Sequence, residues 1–74
     1  MTLWDLKPGQ EASVIQISDV PTSVNSKIQN LGLFTGEKVT CLQWIPFGGP
    51  RVYKLENGIF ALEKELALFI EVKS

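Results

Sequence analysis

Between Glu11 and Ile17 the apolar residues are Ala12, Val14, Ile15 and Ile17. Ala12 and Val14 keep the two-residue period of a strand. The adjacent Val14-Ile15 breaks it, which predicts a bulge or a strand leaving its sheet near that end. Val24, Ile28 and Leu31 then fall at i, i+4 and i+7, one face of a short helix. Thr22 or Ser23 is its expected cap, and Gly32 is placed to end it in a left-handed conformation. Glu37 to Ile45 reads as a strand with Val39 and Cys41 on one face and Thr40, Leu42 and Trp44 on the other. Arg51 to Leu55 resumes with Tyr53 and Leu55 in phase, and Ile59 to Leu62 returns with Phe60 and Leu62 inward. Glu63 to Ala67 suits a single helical or 3₁₀ turn before a last strand, Phe69 to Val72.

Turn residues separate these segments. Lys7-Pro8-Gly9-Gln10 suits a type II turn, because proline presets φ and glycine accepts the positive φ that follows. Pro46-Phe47-Gly48-Gly49-Pro50 cannot continue a strand and connects two of them. Asn57-Gly58 signals a tight hairpin. The sum is mainly β: a small, strongly bent antiparallel barrel of about five strands, with one short helix between the first two and a helical turn before the last. Its expected core is Val14, Ile17, Ile28, Leu31, Val39, Cys41, Tyr53, Leu55, Phe60, Leu62, Ile70 and Val72.

Seventy-four residues suit one domain, 1–74. With seven basic and eight acidic residues the net charge is −1. The lysines are scattered and Arg51 is the one arginine, so no basic patch advertises nucleic-acid binding. The single cysteine, Cys41, has no partner in the chain, and no signal-like segment is present; both point to a reducing cytoplasm. No apolar run approaches the ~20 residues that cross a bilayer.

Candidate chemistry is sparse. The chain has no histidine, so it lacks the usual general base, and no serine or cysteine sits in a nucleophile motif. Gly48-Gly49 lacks the spacing and lysine of a phosphate loop. Glu63, Glu65 and Glu71 alternate with lysines, as a solvated surface does, and offer poor ligation to ferrous iron. The expectation is therefore no catalytic residue, no metal ligand and no cofactor. Cys41, in phase with Val39, reads as core filler.

Four segments in order resemble the FeoA family: Leu3-x-x-Leu6-Lys7-Pro8-Gly9, Leu31-Gly32-Leu33-x-x-Gly36-x-x-Val39, Pro46-x-Gly48-Gly49-Pro50, and Ala61-Leu62-x-x-x-x-Ala67-x-x-Ile70-x-Val72. The resemblance implies an SH3-like barrel and a cytoplasmic, non-enzymatic accessory of ferrous iron transport. Its implied partner is the cytosolic GTP-binding region of a FeoB-type permease, whose assembly or GTPase cycle it would modulate. Contact with the membrane would come through that partner only, and self-association stays open. The chain departs from the family at Thr35, where proline is usual. It keeps only Lys27 on a helix that usually carries arginines, and it has Glu63 where a basic residue is common. The alternatives are a regulatory barrel like the C-terminal domain of iron-dependent repressors, or a small-barrel nucleic-acid binder.

For partner contact the candidates are Trp44, Phe47 and Val52, an apolar group at and beside the Pro46–Pro50 loop, with Lys27 and Arg51 as the charged option. Exposed aromatics of this kind mark protein interfaces. The competing reading for Trp44 is burial, because a sharply bent barrel buries residues from both faces of a strand.

Overall fold

The computed structural model describes residues 1–74. A 3₁₀ turn at Leu3–Asp5 leads into β1 (Glu11–Ile17), α1 (Thr22–Leu31), β2 (Lys38–Trp44), β3 (Arg51–Leu55), β4 (Gly58–Leu62), the one-turn helix α2 (Lys64–Ala67) and β5 (Ile70–Lys73). The strands form one antiparallel sheet in the order β4-β3-β2-β1-β5.

Pro8-Gly9 makes the expected turn: the Gln10 amide donates to the Lys7 carbonyl at 2.9 Å, and Gly9 takes φ 88°. Helix α1 ends as its sequence implies. Gly32 sits at φ 81°, its amide donates to Gln29 at 3.0 Å, and the Leu33 amide reaches back to Ile28 at 3.2 Å. That pair of bonds is a Schellman closure, and buried Ile28 and Leu33 supply its apolar contact. The start of the helix differs from expectation. Thr22 is already helical, Pro21 occupies the cap position, and no side chain caps the free amides. Proline presets the entry φ without a side-chain oxygen, so neither Thr22 nor Ser23 acts as cap.

The β1 bulge is present, with the register to β5 shifting between Val14 and Gln16. A second bulge, between Cys41 and Gln43 on β2, breaks the assumed alternation there. Cys41 pairs with Tyr53 and Trp44 with Arg51, and a single residue, Val52, separates those two partners on β3. Trp44 therefore returns to the face of Cys41 and Tyr53, the opposite of what strict alternation assigns.

The core contains Val14, Ile28, Val39, Cys41, Tyr53, Leu55, Leu62, Ile70 and Val72, as expected. Ile17, Leu31 and Phe60 are half-buried and pack against it. Leu3, Leu6, Ala12, Leu33 and Ala67 complete it. The N-terminal turn thus seals one end of the barrel, because its i, i+3 spacing turns Leu3 and Leu6 to the same side.

Candidate functional site: a braced hairpin and an open groove

The 3₁₀ turn, β2 and β3 meet around one side chain. The Arg51 guanidinium lies 3.9 Å from the centroid of the Trp4 ring and 4.0 Å from that of Trp44. It also donates to the Trp4 carbonyl. Trp44 Nε1 donates to the Leu6 carbonyl at 2.9 Å, and the buried Tyr53 hydroxyl donates to the Leu3 carbonyl at 3.0 Å. Three side chains from β2 and β3 thus satisfy the carbonyls of the N-terminal turn. Burial pushes the Tyr53 phenol well above its ordinary range, since its anion would sit without water. The Cys41 thiol is raised for the same reason, which makes it a weak nucleophile as well as a buried one.

Beyond this brace the β2–β3 connection projects outward. The Gly49 amide approaches the Pro46 carbonyl at 3.4 Å, and the Ile45 amide donates to Pro50 at 3.2 Å. Phe47 (φ 63°) and Gly48 (φ 73°) both carry positive φ, as the mirror-image hairpin turns require. Phe47 is the only non-glycine residue with positive φ, and its side chain is fully exposed, at 104% of the reference. Left-handed backbone at a residue with a Cβ costs about 1–2 kcal/mol.

The contact candidates do not gather into one patch. Trp44 (39% exposed) and Arg51 are engaged with each other and with the N-terminal turn. Val52 pairs with Gln43 and Ala61 on the opposite face and is half-buried. Phe47 alone stands at the tip. Lys27 is on α1 at a separate groove of about 470 Å³, whose walls include Val24, Leu31 and Leu66. Sequence reasoning overlooked Trp4, although an aromatic residue beside two core leucines is the kind of signal that a brace leaves.

No group of three or more histidine, cysteine or acidic side chains is arranged to hold a metal. No helix is long and apolar enough to cross a membrane.

A five-stranded antiparallel sheet curled over one core and braced at one end by the N-terminal turn places the chain among the small β-barrels. The FeoA domain model matches residues 1–74, and the chain belongs to that family. It resembles the solution structure of iron(II) transport protein A from Clostridium thermocellum with TM-score 0.90 and 32% identity, over 99% of this chain and 44% of that one. The chain thus spans less than half the length of that relative. The crystal structure of an iron uptake regulatory protein (FeoA) matches with TM-score 0.85 and 27% identity, over 99% of this chain and 97% of that one. A Stenotrophomonas maltophilia FeoA, solved with zinc and described as a procaryotic SH3 domain protein, gives TM-score 0.84 and 26% identity over 99% and 89% of the two chains. The fold is SH3-like, as these relatives have it. A manganese-dependent transcriptional repressor shares the fold with TM-score 0.91 at 22% identity, over 100% of this chain and 41% of that one. No curated protein matches the chain.

Proposed function

We propose that this chain is a non-enzymatic cytoplasmic adaptor of ferrous iron transport, one that docks on the cytosolic region of a FeoB-type permease through the tip of its β2–β3 hairpin and modulates the permease's assembly or GTPase cycle. The observation that carries the reading is Phe47: a large apolar side chain wholly in solvent, held on a left-handed backbone. Nothing in the fold needs that side chain there, and strained conformations concentrate at sites of recognition. Family membership supplies the pathway. With net charge −1 and the lone arginine stacked between two indoles, apolar burial is the affinity source that this surface offers.

Calorimetry against the isolated cytosolic portion of the permease tests the proposal. Phe47→Ala should weaken binding by about 1–3 kcal/mol, in the range of a moderate hot spot, and should leave folding intact. Added salt should change the affinity only slightly. Unchanged binding by the variant, or binding that collapses in salt, overturns the docking site.

A further inference from the structure

The two edges of the sheet are treated differently. On β5 the Val72 amide donates to the Met1 carbonyl at 2.8 Å and Thr2 bridges to Glu71, so the N-terminal residues cover that edge. The edge at β4 has no such cover. Leu55 pairs with Gly58 across a two-residue loop, and the register continues through Lys54–Ile59, Tyr53–Phe60 and Val52–Ala61. Antiparallel pairs alternate between bonded and non-bonded, starting from the bonded pair that closes the hairpin. The N–H and C=O groups of Ile59 and Ala61 therefore point away from β3.

Edge strands are normally blunted by lysine, proline, a bulge or an inward charge. Gly58-Ile59-Phe60-Ala61-Leu62 has none of these, and Ile59 is 62% exposed. Beside this edge runs the groove between α1 and the β4–α2 segment. Val24 and Leu31 on the helix side and Leu62 and Leu66 on the sheet side make its walls mostly apolar. Lys27 on one wall and Glu63 and Glu65 on the other leave the groove with a net charge of −1.

We infer that β4 is a strand acceptor: an extended segment of a partner protein, apolar on one side and carrying a basic residue, pairs with β4 and lies between it and α1. The backbone groups of Ile59 and Ala61 fix the occupant as an extended chain, since only main chain repeats donor and acceptor at their spacing. The apolar walls take its alternate side chains. Its basic residue meets Glu63 and Glu65, which outnumber Lys27. This surface is distinct from the Phe47 tip, and the inference stands whether or not that tip binds the permease.

The test is an amide chemical-shift titration of the ¹⁵N-labelled chain with a capped hexapeptide of alternating valine and threonine that ends in lysine. Saturable shifts should centre on Ile59, Phe60, Ala61, Val24, Lys27 and Leu31. The same peptide N-methylated at alternate amides should bind at least tenfold more weakly. Ala61→Pro should do likewise, since it deletes an outward N–H that β3 does not use. If that variant fails to fold, the methylated peptide reads the same bonds on the unaltered chain. Glu63→Gln with Glu65→Gln should remove the preference for lysine over a neutral residue. The inference is overturned by equal binding of the methylated peptide, by shifts confined to the Phe47 hairpin, or by no saturable shift at about 5 mM. Concentration-dependent β4 shifts without peptide also overturn it, because they assign the edge to a second copy of the chain.

Discussion

Trp44 Nε1 donates its hydrogen bond to the Leu6 carbonyl across a sequence separation of 38 residues, and this one contact decides what the tryptophan is for. A side chain committed to the backbone on one side and stacked on Arg51 on the other is part of the fold. The hairpin is thereby held at its root while its tip stays free.

Arg51 is the keystone of that root. Replacing it by alanine removes contacts to two ring faces and a bond to the Trp4 carbonyl, so Arg51→Ala should destabilise the chain by about 1–2 kcal/mol. Arg51→Lys should recover less than half of the loss, because an ammonium cannot stack on both indoles. Urea unfolding followed by tryptophan emission reads both effects. A shift below about 0.5 kcal/mol for the alanine variant would show the brace to be incidental.

Tyr53 makes stability depend on alkaline pH. Its phenol is raised in the folded state, and the Cys41 thiol is raised too, so the folded chain holds both protons more tightly than the unfolded chain. Stability should therefore be flat at neutral pH and fall as pH rises past the ordinary pKa values of about 8.5 for cysteine and 10 for tyrosine. Tyr53→Phe removes one of the two donors to the Leu3 carbonyl, the Leu6 amide remaining at 3.2 Å, and should cost about 1 kcal/mol at pH 7. Above pH 10 the variant should lose stability less steeply than the parent. Equal slopes would mean that the phenol is not shielded as described.

How much of this was legible in the sequence depended on whether an irregularity disturbed the apolar pattern. The β1 bulge could be read because Val14 and Ile15 are adjacent apolar residues. The β2 bulge could not, because Cys41, Leu42 and Trp44 fit simple alternation equally well, and only pairing with β3 reveals the extra residue. That one shift moved Trp44 to the inner face and separated it from Val52, dividing the expected patch. Leu3 and Leu6 were missed as core because a five-residue segment carries too little period to declare a 3₁₀ turn. Phe47 was legible through its flanking proline and glycines, whereas its left-handed backbone was not.

Gly32 tests the helix ending. A Cβ there would sit 2.5 Å from Asn57 Nδ2 and would occupy φ 81°. Gly32→Ala should cost about 1–2 kcal/mol, mostly from backbone conformation, because the Asn57 amide can swing aside. Adding Asn57→Ala removes the clash alone, so the double variant should stay about 1 kcal/mol below the Asn57→Ala single variant. Full recovery in thermal unfolding would show that the close approach, not the left-handed φ, was the constraint.

The ligand inventory carries a prediction about iron. With no histidine, and with its acidic groups not gathered into a site, the chain should show no saturable Fe²⁺ site tighter than about micromolar in anaerobic calorimetry. A single submicromolar site would make the protein a metal carrier and would change the proposed role.

Phe47 should show stability and binding pulling in opposite directions. Glycine accepts the φ of 63° without the Cβ penalty, and the exposed ring adds nothing to the core. The greater freedom of glycine in the unfolded chain offsets part of the relief, so Phe47→Gly should raise stability by about 0.5–1 kcal/mol. The same change removes the apolar tip, so affinity for the permease's cytosolic region should fall at least as far as for Phe47→Ala. Chemical denaturation and calorimetry on one preparation separate the two effects. If Phe47→Gly destabilises the chain, the ring packs in solution and the tip is structural. If it stabilises the chain and binds as tightly as the parent, the strain exists without a docking role and the hairpin proposal fails.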